Sequence, residues 1–247
     1  MLPAGAALAL SALTAGCGGA AKSPAALPSS AFSTTNPSPT LTPTPSVTPR
    51  PRPHPTITRT HSAMPSARPS PSVVRYVFPV SGCSASPSSS HHDYPAADIF
   101  AQKGCRFVAV VAGRVDEVSY VDRWSPSNDA GAVRGGRSVS IVGDDGVRYY
   151  GSHLLSIAAG IRPGARVRAG QTLGLIDNSG DARYTPTHVH FGISWPTRPG
   201  VWWVRRGEIW PQRYLAAWRS GHNTSPAAEV RRRHAQLGDV PPCSAEC

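Results

Sequence analysis

His188 and His190 stand two residues apart in the segment Thr187–Phe191, which has the composition of a β-strand. Side chains alternate faces along a strand, so both imidazoles should point one way while Val189 points to the opposite face. Two histidines directed into one space are costly to pack as apolar core, but they suit a metal ion beside a proton-transfer group. The spacing therefore predicts a site that combines metal binding with acid–base chemistry.

Further candidate ligands lie in two segments before this strand. His91, His92 and Asp98 flank a Tyr-Pro turn, and His153 ends a run that is typical of another strand. Each of these residues, taken singly, would more often be a surface, capping or salt-bridge residue. A catalytic zinc site needs deprotonated ligands that converge and leave one position for water. These residues are therefore candidates for a metal site if the fold brings them together.

Together, and in this order, the motifs resemble the lysostaphin-type (LytM-like) zinc endopeptidases, which cut bacterial peptidoglycan. The family pattern is a His followed closely by an Asp, then a mid-domain His, then His-x-His. The glycine-marked runs at 108–113 and 167–174 are also similar to the family, and the resemblance covers about residues 77–194. No His-Glu-x-x-His helix is present in the sequence, so the zincin arrangement does not apply.

The resemblance implies a set of metal ligands. Asp98 and His190 would bind Zn²⁺ together with either His91 or His92. The family usually has three residues between the first His and the Asp, whereas five residues separate His92 from Asp98. We expect His92 to be the ligand because it needs the smaller loop excursion; His91 would then be a supporting or exposed residue.

The resemblance also implies two catalytic residues, His188 and His153. Zinc can lower the pKa of a bound water from about 15.7 towards roughly 7. His188 shares a strand face with His190, so it would stand close to this water and act as general base. His153 would stabilise the oxyanion or pass a proton to the leaving amine. The expected reaction is hydrolysis of peptide crosslinks of bacterial peptidoglycan through a metal-activated water.

Two other functions compete with this prediction. Some members of the family are catalytically inactive and bind the cell wall or activate another wall hydrolase; these usually lack a ligand, whereas every expected position is filled here. The second alternative is a wall- or nucleic-acid-binding module, based on the net charge of +11 and the run Arg231–Arg233. Outside the membrane, anionic lipid head groups and acidic wall polymers are the expected partners of such charge, and no nucleic acid is expected.

Composition divides the chain into four parts. Residues 1–17 resemble a signal peptide that ends in a lipobox, with Cys17 as the lipidated residue. Residues 18–73 form a Pro/Ser/Thr-rich linker that has too few apolar side chains to fold. Residues 74–217 are the metallopeptidase-like domain, and residues 218–247 are a basic C-terminal tail. We expect an exported protein of the cell envelope, anchored to the membrane through Cys17 or secreted.

The predicted fold is mainly β, a single antiparallel β-rich domain of the lysostaphin/LytM type. Short apolar or alternating runs predict strands, and Gly143–Gly146 predicts a hairpin turn. Helical turns are expected only at Ser156–Gly160 and Pro211–Trp218, and Gly131–Gly136 is expected to be a loop that influences substrate choice.

Four further cysteines permit disulfides in an exported chain. Their pairing stays open, although Cys83 and Cys105 could close one loop, and Cys243 and Cys247 another. A cluster of tryptophans is expected to cap the core rather than to line a substrate groove: Trp195, Trp202, Trp203 and Trp210.

Overall fold

The computed structural model describes residues 74–244 and residue 247. The predicted signal peptide with Cys17 and the predicted linker at 18–73 lie outside the described residues. Within the described residues, no helix combines the length and the apolar character that crossing a bilayer would need.

Eleven strands account for most of the regular structure in the described residues. Every pairing within the two sheets is antiparallel. The strands are β1 (Val80–Ser81), β2 (Ala85–Pro87), β3 (Ala97–Ala101), β4 (Arg106–Val108), β5 (Gly113–Ser119), β6 (Ser138–Gly143), β7 (Arg148–Ser152), β8 (Leu154–Ile157), β9 (Arg166–Val167), β10 (Thr172–Ile176) and β11 (His188–Ser194).

The strands form two sheets, one of seven strands in the order β2-β3-β11-β7-β6-β5-β9 and one of four in the order β1-β4-β10-β8. Side chains alternate between the two faces of β11, and one face contributes Val189, Phe191 and Ile193 to the core, where each is 0% exposed. Phe107 of β4 and Leu154 of β8, in the smaller sheet, belong to the same buried cluster. The antiparallel β-rich fold predicted from the sequence is confirmed.

Short helices connect and cover the sheets. The described helices are α1 (Gly131–Arg134), the 3₁₀ helix η1 (Gly180–Tyr184), α2 (Trp202–Arg205), α3 (Gln212–Arg219) and α4 (Ala227–Leu237). The helix expected near Pro211–Trp218 is confirmed as α3. The helical turn expected at Ser156–Gly160 is wrong, because Ser156 pairs with Leu175 inside β8.

The C-terminal residues pack on the domain. The boundary expected after Ala217 falls inside α3, and α4 follows with Val230 only 3% exposed. The indole nitrogens of Trp195 and Trp203 donate to the carbonyls of Asp239 and Pro241, at 3.1 and 2.8 Å. The described part of the predicted basic tail is therefore joined to the domain by buried contacts.

Two disulfides join Cys83 to Cys105 and Cys243 to Cys247. The pairings that seemed possible from the sequence are therefore present. Cys83–Cys105 ties the segment before β2 to the start of β4, and its cysteines are 22 positions apart. The Cys243–Cys247 disulfide closes a much shorter loop, because its cysteines are only four positions apart.

We expect the double variant Cys83→Ser/Cys105→Ser to lose about 3 kcal/mol of unfolding free energy, because the crosslink restricts a long loop in the unfolded chain. Urea unfolding of both proteins measures the difference. The variant Cys243→Ser/Cys247→Ser is the matched control and should lose less, since its loop is short. Equal losses in the two variants would contradict the loop-length explanation.

Candidate active site

Strand register brings the candidate ligands together at one end of the larger sheet. On β11, His190 stands directly opposite Asp98 of β3 on one side and Ser152 of β7 on the other. Side chains directly opposite in antiparallel strands share a face of the sheet. His188 faces Phe100 on the same side of β11. The pairing of three strands therefore places an imidazole and a carboxylate side by side although 92 positions separate them.

His153 lies where the chain leaves the larger sheet for the smaller one, between β7 and β8. It is the only non-glycine residue with a positive φ, 64°, in the described part of the chain. That conformation is disfavoured for a residue with a Cβ, so the surrounding structure must hold it. Its backbone N–H donates to the carbonyl of Gly135 at 3.0 Å. The ring lies 5.0 Å from the ring of His188 and 6.1 Å from that of His190.

Three residues of the described chain form a group that could hold a metal ion: His91, Asp98 and His190. One potential ligand atom of each lies within 4.8 Å of the others. His91 is buried, and its ring centroid is 5.0 Å from that of His190. The Tyr-Pro turn therefore carries His91 back over β3 and β11.

His92, the ligand preferred from the sequence, lies outside this group. Its side chain is 66% exposed and its Nδ1 pairs with the carboxylate of Asp93. The length of the loop between each histidine and Asp98 does not determine the direction in which each imidazole points. The geometry favours His91 over His92.

Backbone carbonyls fix the tautomers of both expected catalytic histidines. Nδ1 of His188 donates to the carbonyl of Pro186 at 2.7 Å, and Nδ1 of His153 donates to that of Ser179 at 2.8 Å. A carbonyl oxygen can only accept, so each Nδ1 carries the proton and each neutral ring keeps its lone pair on Nε2. His188 Nε2 lies 3.8 Å from Asp98 Oδ1. Both residues therefore keep the lone pair on Nε2, the nitrogen that could accept a proton.

His190 has the opposite arrangement. Its Nε2 donates to the backbone carbonyl of Arg206 at 2.9 Å, which leaves the lone pair of the neutral ring on Nδ1. Nδ1 lies 3.2 Å from Asp98 Oδ1. A hydrogen bond that holds one ring nitrogen commonly sets which nitrogen binds a metal. The Arg206 carbonyl therefore directs Nδ1 of His190 towards the carboxylate.

These contacts fit a divalent metal ion. A lone pair on His190 Nδ1 and a carboxylate oxygen of Asp98 repel each other unless a proton or a cation lies between them. His188 Nε2 faces the same oxygen in the same way. His91 Nδ1 is buried without a hydrogen-bond partner in the described structure. Two imidazoles and one carboxylate form a donor set typical of a catalytic zinc site.

Glycine is required where the Arg206 carbonyl meets β11. A Cβ on Gly192 would lie 2.1 Å from the Arg206 oxygen and 2.6 Å from its carbonyl carbon. Gly207 has a φ of 147°, and a Cβ there would lie 2.2 Å from the carbonyl oxygen of Pro95. The segment around Arg206 is thus packed between β11 and the turn that carries His91.

We expect Gly192→Ala to weaken zinc binding about 10- to 100-fold, because the added methyl group displaces the carbonyl that orients His190. Zinc affinity measured by competition with a chromogenic chelator tests this. Ser194→Ala is the matched control on the same strand, because the Ser194 hydroxyl is buried and makes no hydrogen bond within the described structure. Unchanged zinc affinity in Gly192→Ala would refute the orienting role of the carbonyl.

The electrostatics keep Asp98 and His91 deprotonated, and they do the same for His153. Burial raises the pKa of the Asp98 carboxyl, but the surrounding imidazoles, that of His190 above all, outweigh burial and hold that pKa well below its usual range. Burial, reinforced by His190, lowers the pKa of His91 to about 4. Burial, reinforced by His188 and His190, lowers the pKa of His153 to about 3. At neutral pH Asp98 is therefore an anion, and His91 and His153 are neutral.

These shifts predict how the stability of the metal-free protein depends on pH. The folded pKa values of His91 and His153 lie below the value of 6.5 for an unperturbed histidine, so the unfolded chain binds more protons at mildly acidic pH. Unfolding free energy should be constant above about pH 7.5 and fall below pH 6.5, by up to ~1.4 kcal/mol per pH unit for each histidine. Urea unfolding of chelator-treated protein from pH 8 to pH 4 measures this; stability that rises on acidification would contradict it.

The histidines line an open cleft with a volume of about 220 Å³. Its opposite wall comes from η1 and the residue that follows it, with Asp181, Ala182 and Thr185 facing the cleft. Tyr94 lies at the rim, where the guanidinium of Arg206 stacks on its ring at 3.8 Å from the centroid.

The four tryptophans have different environments. Trp195 is 2% exposed and Trp203 packs against the core, as expected from the sequence. Trp202 lies at a small pocket that His153 and His190 also line, so it borders the site. Trp210 is 47% exposed.

Comparison with known proteins gives the class of the domain. Residues 92–200 match the sequence model of peptidase family M23. The match includes Asp98, His153, His188 and His190, and it begins at His92, so the preference for His91 rests on the geometry alone. Residues 92–200 therefore have the sequence of a peptidase family M23 domain, and the resemblance to lysostaphin-type and LytM-like enzymes is confirmed.

Solved structures of similar fold include three peptidases or putative peptidases. The catalytic domain of lysostaphin from Staphylococcus simulans is 20% identical, with 53% of this chain and 92% of that chain covered and a TM-score of 0.41. A putative peptidase M23 from Pseudomonas aeruginosa is 22% identical, with 57% and 50% covered and a TM-score of 0.42. A putative glycyl-glycine endopeptidase lytM from Ruminococcus gnavus is 24% identical, with 50% and 54% covered and a TM-score of 0.41.

This chain spans about half the length of the latter two proteins. No curated protein sequence matches the chain at a significant level.

Proposed function

We propose that this domain is a zinc-dependent endopeptidase that hydrolyses peptide crosslinks of bacterial peptidoglycan. One observation carries the proposal: His91, Asp98 and His190 converge with deprotonated ligand atoms within a domain of a peptidase family. His188 and His153 present basic nitrogens to the same cleft. The peptidoglycan substrate is supported by the membership of the family, whose characterised members the sequence motifs resemble.

The five residues divide into two groups. His91, Asp98 and His190 would hold a zinc ion, which when bound would polarise the scissile carbonyl and make a water molecule more acidic. Nε2 of His188 accepts the proton of the attacking water, because its Nδ1 is already occupied by the Pro186 carbonyl. General base assistance of this kind is worth about 10²- to 10⁴-fold in rate.

Two roles were expected for His153, and its contacts favour proton transfer over oxyanion stabilisation. Stabilising an oxyanion needs an N–H donor, yet Nε2 of His153 carries a lone pair and its pKa is lowered to about 3. We infer that His153, whose ring lies 5.0 Å from that of His188, relays the proton that His188 takes from the water to the amine that leaves as the C–N bond breaks. Its positive φ and its bond to the Ser179 carbonyl aim this nitrogen at the cleft.

The proposal extends to the place of action. Export, a lipid anchor at Cys17 and a spacer at residues 18–73 would let the domain reach the wall from the outer face of the membrane. Radiolabelled palmitate incorporation in wild type and in Cys17→Ser tests the anchor. Equal labelling of the two proteins would exclude it.

The competing function is a catalytically inactive domain that binds the wall or activates another hydrolase. Two measurements on the purified protein separate it from the enzyme: zinc content, and release of soluble peptides from purified sacculi before and after chelation. An enzyme should contain about one zinc per chain and release peptides, lose the activity with a chelator and regain it with added zinc. Peptide release that a chelator leaves unchanged, or an absence of zinc, would contradict the proposal.

A further inference from the structure

The C-terminal helix α4 buries one of its faces. Val230 is 3% exposed, and the ring of His234 stacks on Trp195 at 5.0 Å between centroids. Leu237 packs against the same core. Residues four and then three positions apart lie on one side of a helix, so this face holds α4 on the domain.

A second face of α4 is polar and lines a groove of about 360 Å³. Its members are spaced at i, i+3, i+4 and i+7, which makes them one continuous stripe. They are Glu229, Arg232, Arg233 and Gln236, and the facing wall includes Trp210 and Glu208. The basic run Arg231–Arg233 thus contributes two of its three arginines to the groove.

Trp210 is the apolar element of this groove. It is 47% exposed, and its indole nitrogen has no hydrogen-bond partner in the part of the chain that is described. By contrast, the indole nitrogens of Trp195, Trp203 and Trp218 all donate to backbone carbonyls. An aromatic face and an open N–H beside polar side chains are suited to a ligand that has both apolar and polar surfaces.

The polar groups of the groove include both donors and acceptors. Arg232 and Gln236 are exposed, and neither has a protein partner among the described residues. Glu208 lies 3.9 Å from Arg233, and Glu229 accepts a hydrogen bond from the hydroxyl of Tyr214 at 2.6 Å. The two carboxylates offset the formal charges of Arg232 and Arg233, so the groove lining offers no net positive charge to a polyanion, whereas hydroxyl and acetamido groups can use donors and acceptors alike.

We propose that this groove binds pyranose rings of an N-acetylamino-sugar chain. One ring would stack on the face of Trp210, with Arg232 and Gln236 donating to its oxygen atoms. This choice of sugar rests on the proposed function, because such a chain is the carbohydrate of the wall that carries the peptide crosslinks. The groove and the cleft share one turn of the chain: Tyr94 lines the cleft, and the next residue, Pro95, lines the groove.

Isothermal titration of the full chain with a β-1,4-linked tetramer of N-acetylglucosamine tests the proposal. His190→Ala is the background in every arm, so binding is read without hydrolysis. We expect saturable binding that Trp210→Ala weakens at least about tenfold and that Arg232→Ala/Gln236→Ala also weakens. Circular dichroism melting curves verify that these exposed substitutions leave the fold intact.

Tyr184→Ala is the matched control, because Tyr184 is another exposed aromatic residue, 79% exposed, on η1 beside the catalytic cleft. It should leave tetramer binding unchanged. Binding that Tyr184→Ala weakens and Trp210→Ala does not would place the sugar in the cleft and overturn the proposal. No binding of the tetramer, with or without salt-sensitive binding of a glycerol phosphate polymer, would overturn it as well. These outcomes do not depend on whether the wild type hydrolyses peptides, so the two proposals fail separately.

Discussion

Replacing His91 by alanine is expected to remove bound zinc and to abolish peptide hydrolysis, whereas His92→Ala retains both. His91 is buried against His190 and belongs to the only ligand group found in the described residues. Loss of a residue that merely supports a ligand costs about 10- to 100-fold in metal affinity, so loss of a ligand should cost at least about 100-fold. Elemental analysis of the dialysed variants gives zinc per chain.

The two variants are a matched pair, because they differ by one position and remove the same side chain. His92 is exposed and pairs with Asp93, so its removal should alter neither zinc content nor thermal stability. Zinc loss in His92→Ala together with retention in His91→Ala would show that the turn presents the other histidine, and the assignment of the first ligand would be wrong.

The second large effect is expected for His188→Ala, which should bind zinc normally and lose about 10²- to 10⁴-fold in kcat. The residue lies outside the three-ligand group, yet its Nε2 is directed at the same carboxylate. KM should change little, since the lost interaction is proton transfer in the transition state. Steady-state hydrolysis of a crosslinked muropeptide measures both constants.

His188→Asn serves as the control for shape, because its amide nitrogen stands where Nδ1 stood and can keep the hydrogen bond to the Pro186 carbonyl, but it cannot accept a proton at neutral pH. It should be as slow as His188→Ala. Zinc loss in either variant would make His188 a ligand, and full activity in His188→Asn would exclude it as the base.

Sequence periodicity predicted the centre of this site well. The period of two along β11 is enough to place His188 and His190 on one face and Val189 in the core. The turn residues and alternating runs also predicted the antiparallel strands, because the formation of a strand or a hairpin depends largely on residues that are close in sequence. The family resemblance then identified Asp98 and His153 as partners of residues far along the chain.

Other features of the site have no local signal. The choice between His91 and His92 depends on the direction of each ring after a turn, which residue spacing does not determine. The groups that fix the tautomers are backbone carbonyls of Arg206, Pro186 and Ser179, and any residue type can supply a carbonyl. The sequence left two roles open for His153, oxyanion stabilisation and proton transfer to the leaving amine, and its hydrogen bond to the Ser179 carbonyl favours the second.

The proposed roles of the five residues all depend on one reaction, the hydrolysis of a peptide bond, and mass spectrometry of digested sacculi tests it most directly. Zinc-loaded wild type should convert crosslinked muropeptides into products with one new amino group and one new carboxyl group per cut, while the glycan linkages stay intact. His190→Ala should contain no zinc and give no such products. New reducing sugar ends without new peptide termini, or equal peptide products from wild type and His190→Ala, would contradict the assignment of a zinc endopeptidase.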